Sequence, residues 1–175
     1  MLKKFNSILL ISIFSFICNQ KSFAEDLIIV FVDMDKIIAT SNAGKKIQSS
    51  MDKFAKKENQ KFDSIESNLK KKEQEILKQK NIISKEELDK KIKSFQSELL
   101  KLRNDKIDFN KRLVKMNKES TNKMVNQINK ILTQYAFDNS VSLIIQKKNI
   151  IIGKTELDIT PQILKEFNSK VKSID

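Results

Sequence analysis

The sequence contains no histidine and no tryptophan, one cysteine, one proline and two glycines among its 175 residues. Each scarcity removes a class of protein. Without histidine there is no ordinary proton-transfer base near neutral pH, and the usual zinc ligand sets cannot be assembled. The lone cysteine, Cys18, has no partner for an internal disulfide. Gly44 and Gly153 are isolated, so no glycine-rich loop is present to cradle a phosphate. So few turn formers argue against an all-β chain built from many hairpins. Arg103 and Arg112 are the two arginines among 34 basic residues, and arginine is the side chain that forks onto phosphates and base edges. Specific nucleic-acid binding is therefore not expected. No catalytic constellation emerges, so we expect no enzyme activity, no cofactor and no bound metal.

What is present is charge and helix-forming residues. Charged residues make up 32% and hydrophobic residues 39%, with a formal net charge of +12. Lys, Glu, Leu, Ile and Gln dominate, a composition that favours long helices. The positive excess favours acidic partners. A solvated helix surface rich in lysine accounts for it equally well, and does so for most of "KKKEQEILKQK" at 70 to 80.

Residues 1 to 24 read as a signal peptide. Lys3 and Lys4 open it, and "FNSILLISIFSFIC" at 5 to 18 is too short for a typical membrane span. Ser22-Phe23-Ala24 places small residues at the two positions a signal peptidase reads, so cleavage is expected between Ala24 and Glu25. An uncleaved N-terminal anchor is the alternative. Ile17 stands before Cys18 where a lipoprotein signal needs a small residue, which argues against lipidation. Cleavage would remove the one cysteine and three lysines, lowering the net charge to +9.

"DLIIVFVD" at 26 to 33 is apolar and β-branched, and reads as a strand covered on both faces. Of the neighbouring carboxylates, Asp33 is expected to end this strand and Asp35 to start the next turn. Ile37 and Ile38 sit in a short helical turn, and Ser41 or Asn42 can cap a new helix. From Ala43 to Lys80 one stripe follows: Ile47, Met51 and Phe54, then Phe62, Ile65, Leu69 and Ile76. A second stripe holds Leu88, Ile92, Phe95, Leu99, Leu102, Phe109, Leu113 and Met116. Leu100, Ile107 and Val114 form a row seven apart that is expected to widen this face toward a third surface. The stripes mirror one another. The numbers of Ile76 and Leu88, Leu69 and Phe95, Ile65 and Leu99, and Phe62 and Leu102 each sum to 164. A common sum is what an antiparallel helical hairpin requires. Glu58 and Lys106 obey it too, and are expected to face each other across the seam.

The tip falls near 81 to 84, inside "KQKNIISKEELDK". Ser84 is an N-cap with Glu87 three residues on, and Ile83 and Leu88 form a hydrophobic staple. Asn81 can end the first helix in a left-handed conformation. Ile82 has no such structural reason. Ringed by Lys78, Lys80 and Lys85, it is a candidate apolar contact for a bound molecule.

Beyond the arm, "VSLIIQ" and "NIIIG" read as two strands joined at Lys147-Lys148, and "ELDIT" as a further extended piece. Thr160 is expected to cap a helix beginning at Pro161, with Ile163, Leu164, Phe167, Val171 and Ile174 on its apolar face. The fold class is α+β, mostly α: a long antiparallel helical hairpin, or coiled-coil arm, on a small β body. Residues 25–42 and 138–175 form the body and 43–137 the arm. So small a body needs oligomerisation to complete its core.

"IIVFVDMDKIIATSNAGKKIQ" and "VSLIIQKKNIIIGKTELDITPQILKEFN" resemble the two ends of the Skp/OmpH family of periplasmic chaperones. The resemblance implies a homotrimer whose strands join in a central body, burying Ile28, Val30, Val32, Leu143 and Ile145 or the alternate faces of those strands. It implies three cationic arms around a cavity that holds unfolded outer-membrane proteins without ATP. Contact with anionic lipid or lipopolysaccharide is also implied, without assigned residues. The competing readings are a structural coiled coil spacing envelope layers and, suggested by charge alone, a basic nucleic-acid-binding protein.

Overall fold

A computed structural model describes residues 27–174. The segment expected to be a signal peptide, its expected cleavage point and Cys18 lie outside the described residues. The element order is β1 (Ile29–Val32), α1 (Met34–Thr40), α2 (Asn42–Gln79), α3 (Lys85–Asp138), β2 (Leu143–Gln146) and α4 (Thr160–Lys170). At about 1.5 Å per residue, α2 is about 57 Å long and α3 about 81 Å.

The base closes where the chain leaves and re-enters it. β1 and β2 pair in parallel, with Ile29 opposite Leu143 and Val32 opposite Gln146. On the other side of β1, the Ile159 N–H donates to the Phe31 carbonyl at 3.0 Å, and Phe31 bridges Asp158. β1 is buried from Val30 to Val32, while Ile28 and Ile29 are exposed. Full cover on both faces therefore holds for its C-terminal half alone. One cluster gathers Val30, Val32, Met34, Ile37, Ala43, Met124, Ile128, Ile131, Ile159, Ile163 and Phe167. The proximal turns of both arm helices thus belong to the base core. Leu164, Val171 and Ile174 pack against it, as the α4 face predicts.

Caps and close approaches fix the elements. Asp33 caps α1, its carboxylate accepting from the Lys36 N–H. Ser41 caps α2 by accepting from the Gly44 N–H. A Cβ on Gly44 would sit 1.8 Å from the Ile38 carbonyl oxygen, so the crossing of α1 and α2 admits glycine alone there. α3 ends in a Schellman motif: the Val141 N–H donates to the Ala136 carbonyl (2.9 Å) and Ser140 N–H to Phe137 (3.4 Å), with Ser140 at φ 52°.

Four local expectations are corrected. Asn81 is not left-handed. Ser140 is the one non-glycine residue with positive φ among the described residues. The first helix instead runs out in a right-handed turn, Ile82 and Ile83 N–H both donating to the Gln79 carbonyl. "NIIIG" is not a strand. Lys147–Asn149 coils into a 3-10 turn, because a Lys-Lys pair lacks the positive-φ residues that a two-residue hairpin requires. The ELDIT segment opens with another 3-10 turn, Thr155–Leu157, before its single bridge to β1. Thr160 does not cap α4. Its hydroxyl accepts from the Asp33 N–H at 2.8 Å and so locks α4 onto the end of β1.

Candidate functional site

The arm is held by a narrow seam. Phe62, Leu69, Leu102 and Phe109 form its buried cluster, with Phe54, Ala55, Phe95 and Leu113 packed around them, and Met51 is buried nearer the base. The Phe109 ring lies between Phe54 and Phe62, at centroid distances of 5.7 and 5.6 Å. No residue from Lys70 to Lys101 is buried; Ile76, Leu88, Ile92 and Phe95 are half-buried there, so the distal seam is thin.

Backbone level and side-chain partnership differ along this seam. The helix ends flanking the tip, Gln79 and Lys85, sum to 164, as the mirror pattern predicts. The polar side chains that meet pair higher: Lys72 bonds Glu98, Lys106 bonds Glu66, and Asn117 reaches the Met51 sulfur. Side chains lean toward the N-terminus of their own helix. In an antiparallel pair those leans oppose, so partners are displaced toward a larger sum. The expected Glu58–Lys106 pair is accordingly absent: Glu58 bonds Lys61 on its own helix, and the Lys106 ammonium lies 5.8 Å from the Phe62 ring centre. Hydrogen bonds from Lys61 to Glu58, and from Lys72 and then Ser94 to Glu98, hold both carboxyls below their ordinary values against the opposing effect of desolvation.

At the tip, the Ser84 hydroxyl accepts from the Glu87 N–H at 3.3 Å and caps α3. Ile83 and Leu88 are half-buried, whereas Ile82 is 81% exposed. Lys78, Lys80 and Lys85 are exposed beside it. In the base, Val30 and Val32 are buried within the single chain, Ile145 is half-buried, and Ile28 and Leu143 are exposed. Ile151 and Ile152, read from sequence as strand, project fully into solvent.

Leu100, Ile107 and Val114 are 58%, 43% and 69% exposed. They do not widen the seam. At about 100° per residue, the row lies opposite the buried Leu102 and Phe109, on the back of α3. The sequence signal was available, since residues five apart, such as Leu102 and Ile107, fall on opposite sides of a helix. Among the described residues there is no cluster of three or more potential metal ligands, and no helix is long and apolar enough to cross a membrane.

A parallel-stranded base that carries one long antiparallel helical hairpin, with seam and tip as described, defines a class of armed α+β proteins. The chain belongs to the family described as outer membrane protein (OmpH-like), which matches residues 28–167. The fold is similar to that of a Caulobacter crescentus protein described as an OmpH-like outer membrane chaperone. The two are 12% identical, with a TM-score of 0.79 over 89% of this chain and 93% of the other. No curated protein matches the sequence.

Proposed function

We propose that the protein is an exported, ATP-independent holdase that keeps unfolded outer-membrane proteins from aggregating in the periplasm. The observation that carries this reading is the arm surface. It exposes Leu77, Ile82, Leu99, Leu100, Ile107 and Val114 along a lysine-rich helical pair. Solvated apolar side chains held apart on a cationic scaffold can engage many extended chains weakly, and such contacts sum when several arms act together. Membership of the OmpH-like family supports the reading, as does the fold shared with a protein described as a chaperone.

Three copies would complete the assembly, with a client in the cavity between their arms. At the base, Ile28, Leu143, Ile151 and Ile152 are the apolar side chains that neighbouring copies would cover. The signal peptide would be removed at Ala24/Glu25. Anionic lipid would meet the same cationic surface as a secondary partner. A test dilutes a urea-unfolded barrel protein into buffer with the purified exported chain and follows turbidity and native mass. We expect one trimer to hold one client in solution. A monomeric mass at micromolar concentration defeats the assembly, and full aggregation of the client defeats the holdase. Ile82→Ser is expected to weaken holding with little change in melting temperature.

A further inference from the structure

We infer that the back of α3 is a client track: an apolar row flanked by cations that takes an extended, alternately apolar and acidic segment in no fixed register. The inference rests on the holdase reading. Leu100, Ile107 and Val114 lie seven residues apart and exposed, with Arg103, Lys111 and Lys118 exposed on the same stripe. Between Leu100 and Lys118 the stripe holds no Asp or Glu. Asp105, Asp108 and Glu119 fall about 80° or more round the helix. Asp108 reaches back to Lys111 at 3.3 Å, but both side chains are more than two-thirds exposed, so the pair is weak. The seam does not use the row, because α2 packs on the opposite side of α3.

Spacing and charge choose the occupant. Successive row residues are about 10.5 Å apart, and the row spans about 21 Å. Same-face residues of an extended chain recur every ~6.8 Å. The ends of the row therefore match strand positions six residues apart, while Ile107 falls between two of them. No single register satisfies all three apolar sites, so a strand can shift along the row without losing much contact. The flanking cations favour a client whose polar positions are acidic. Barrel strands, with about ten residues of alternating polarity, have the right length and pattern.

The experiment measures the dissociation constant of a dye-labelled, urea-unfolded eight-stranded barrel protein for the full exported chain, by anisotropy. Leu100→Ser with Val114→Ser is expected to weaken binding about tenfold, at unchanged melting temperature and assembly mass. Arg103→Gln with Lys118→Gln is expected to flatten the salt dependence of binding. Affinity within twofold of wild type in the apolar variant overturns the inference, and so does a change of assembly mass, which would make the row a contact between copies. Loss of binding to phosphatidylglycerol vesicles with client affinity intact also overturns it. If the wild-type chain holds no client, the holdase reading falls with it; if wild type and row variants hold the client equally, the row assignment alone falls.

Discussion

The base and the arm solve the same packing problem with opposite outcomes. In the base, eleven buried residues from five elements share one cluster, and Ile37, Ile128, Ile163 and Phe167 are wholly hidden. In the arm, beyond the turns that join the base core, Met51 and one cluster of four buried residues hold the two helices together. The base buries side chains from several directions, which gives a unique arrangement. The arm buries one stripe from one direction, which permits bending and local opening. Rigidity is thus concentrated where the chain ends meet, and compliance where apolar groups are presented to solvent.

That contrast can be broken by experiment. Phe167→Ala, at the centre of the base, is expected to cost about 4–5 kcal/mol and to lower the midpoint of global denaturant unfolding. Phe109→Ala removes the ring between Phe54 and Phe62 and is expected to cost about 3 kcal/mol. Its effect should be local, with hydrogen exchange accelerating from about residue 50 to 115 while base amides stay protected. Equal acceleration in both regions would erase the distinction. Acid offers a third probe. Burial works to raise the Asp158 carboxyl, but bonds from Thr160 and Lys147 outweigh it and leave its folded value below the ordinary one. A lowered folded value contributes stability in full above about pH 4, lost as pH falls through that folded value. Asp158→Asn is expected to flatten the acid limb of base unfolding and leave the arm signal unchanged. The smallest effect belongs to Lys106→Met. Its bond to Glu66 is about half exposed, so stability should change by less than about 1 kcal/mol in denaturant titration.

Much of this architecture is legible in the sequence because it obeys periodicity. Apolar spacing located both arm helices, their mirror relation and the tip, and Ser84 marked the start of α3 to the residue. The register of side-chain partners was not legible, because periodicity reports backbone level and not the lean of each side chain. Ser140 escaped notice because serine seldom adopts positive φ, and glycine is the usual signal. Thr160 looked like a cap, but its hydroxyl is held by Asp33, far away in sequence. "NIIIG" has strand composition, yet the 3-10 turn at Lys147–Asn149 that leads into it is not a hairpin turn and does not fold it back onto β2. For the candidate site, the exposure of Ile82 at the tip was foreseen, whereas the row at Leu100 was expected to widen the apolar face toward a third surface and instead stands exposed on the back of α3.

The parallel pairing of β1 with β2 also constrains the order of folding. Ile29 cannot meet Leu143 until the whole arm lying between them has been made. Closing so long a loop from a random chain is slow, because the entropy is lost before any contact compensates it. The hairpin shortens the search. Its tip joins residues near in sequence, so it can nucleate first and zip downward, delivering both strands to the same place. On this route the arm is its own folding template, and a chain emerging N-terminus first would hold its first strand unpaired until Leu143–Gln146 had arrived.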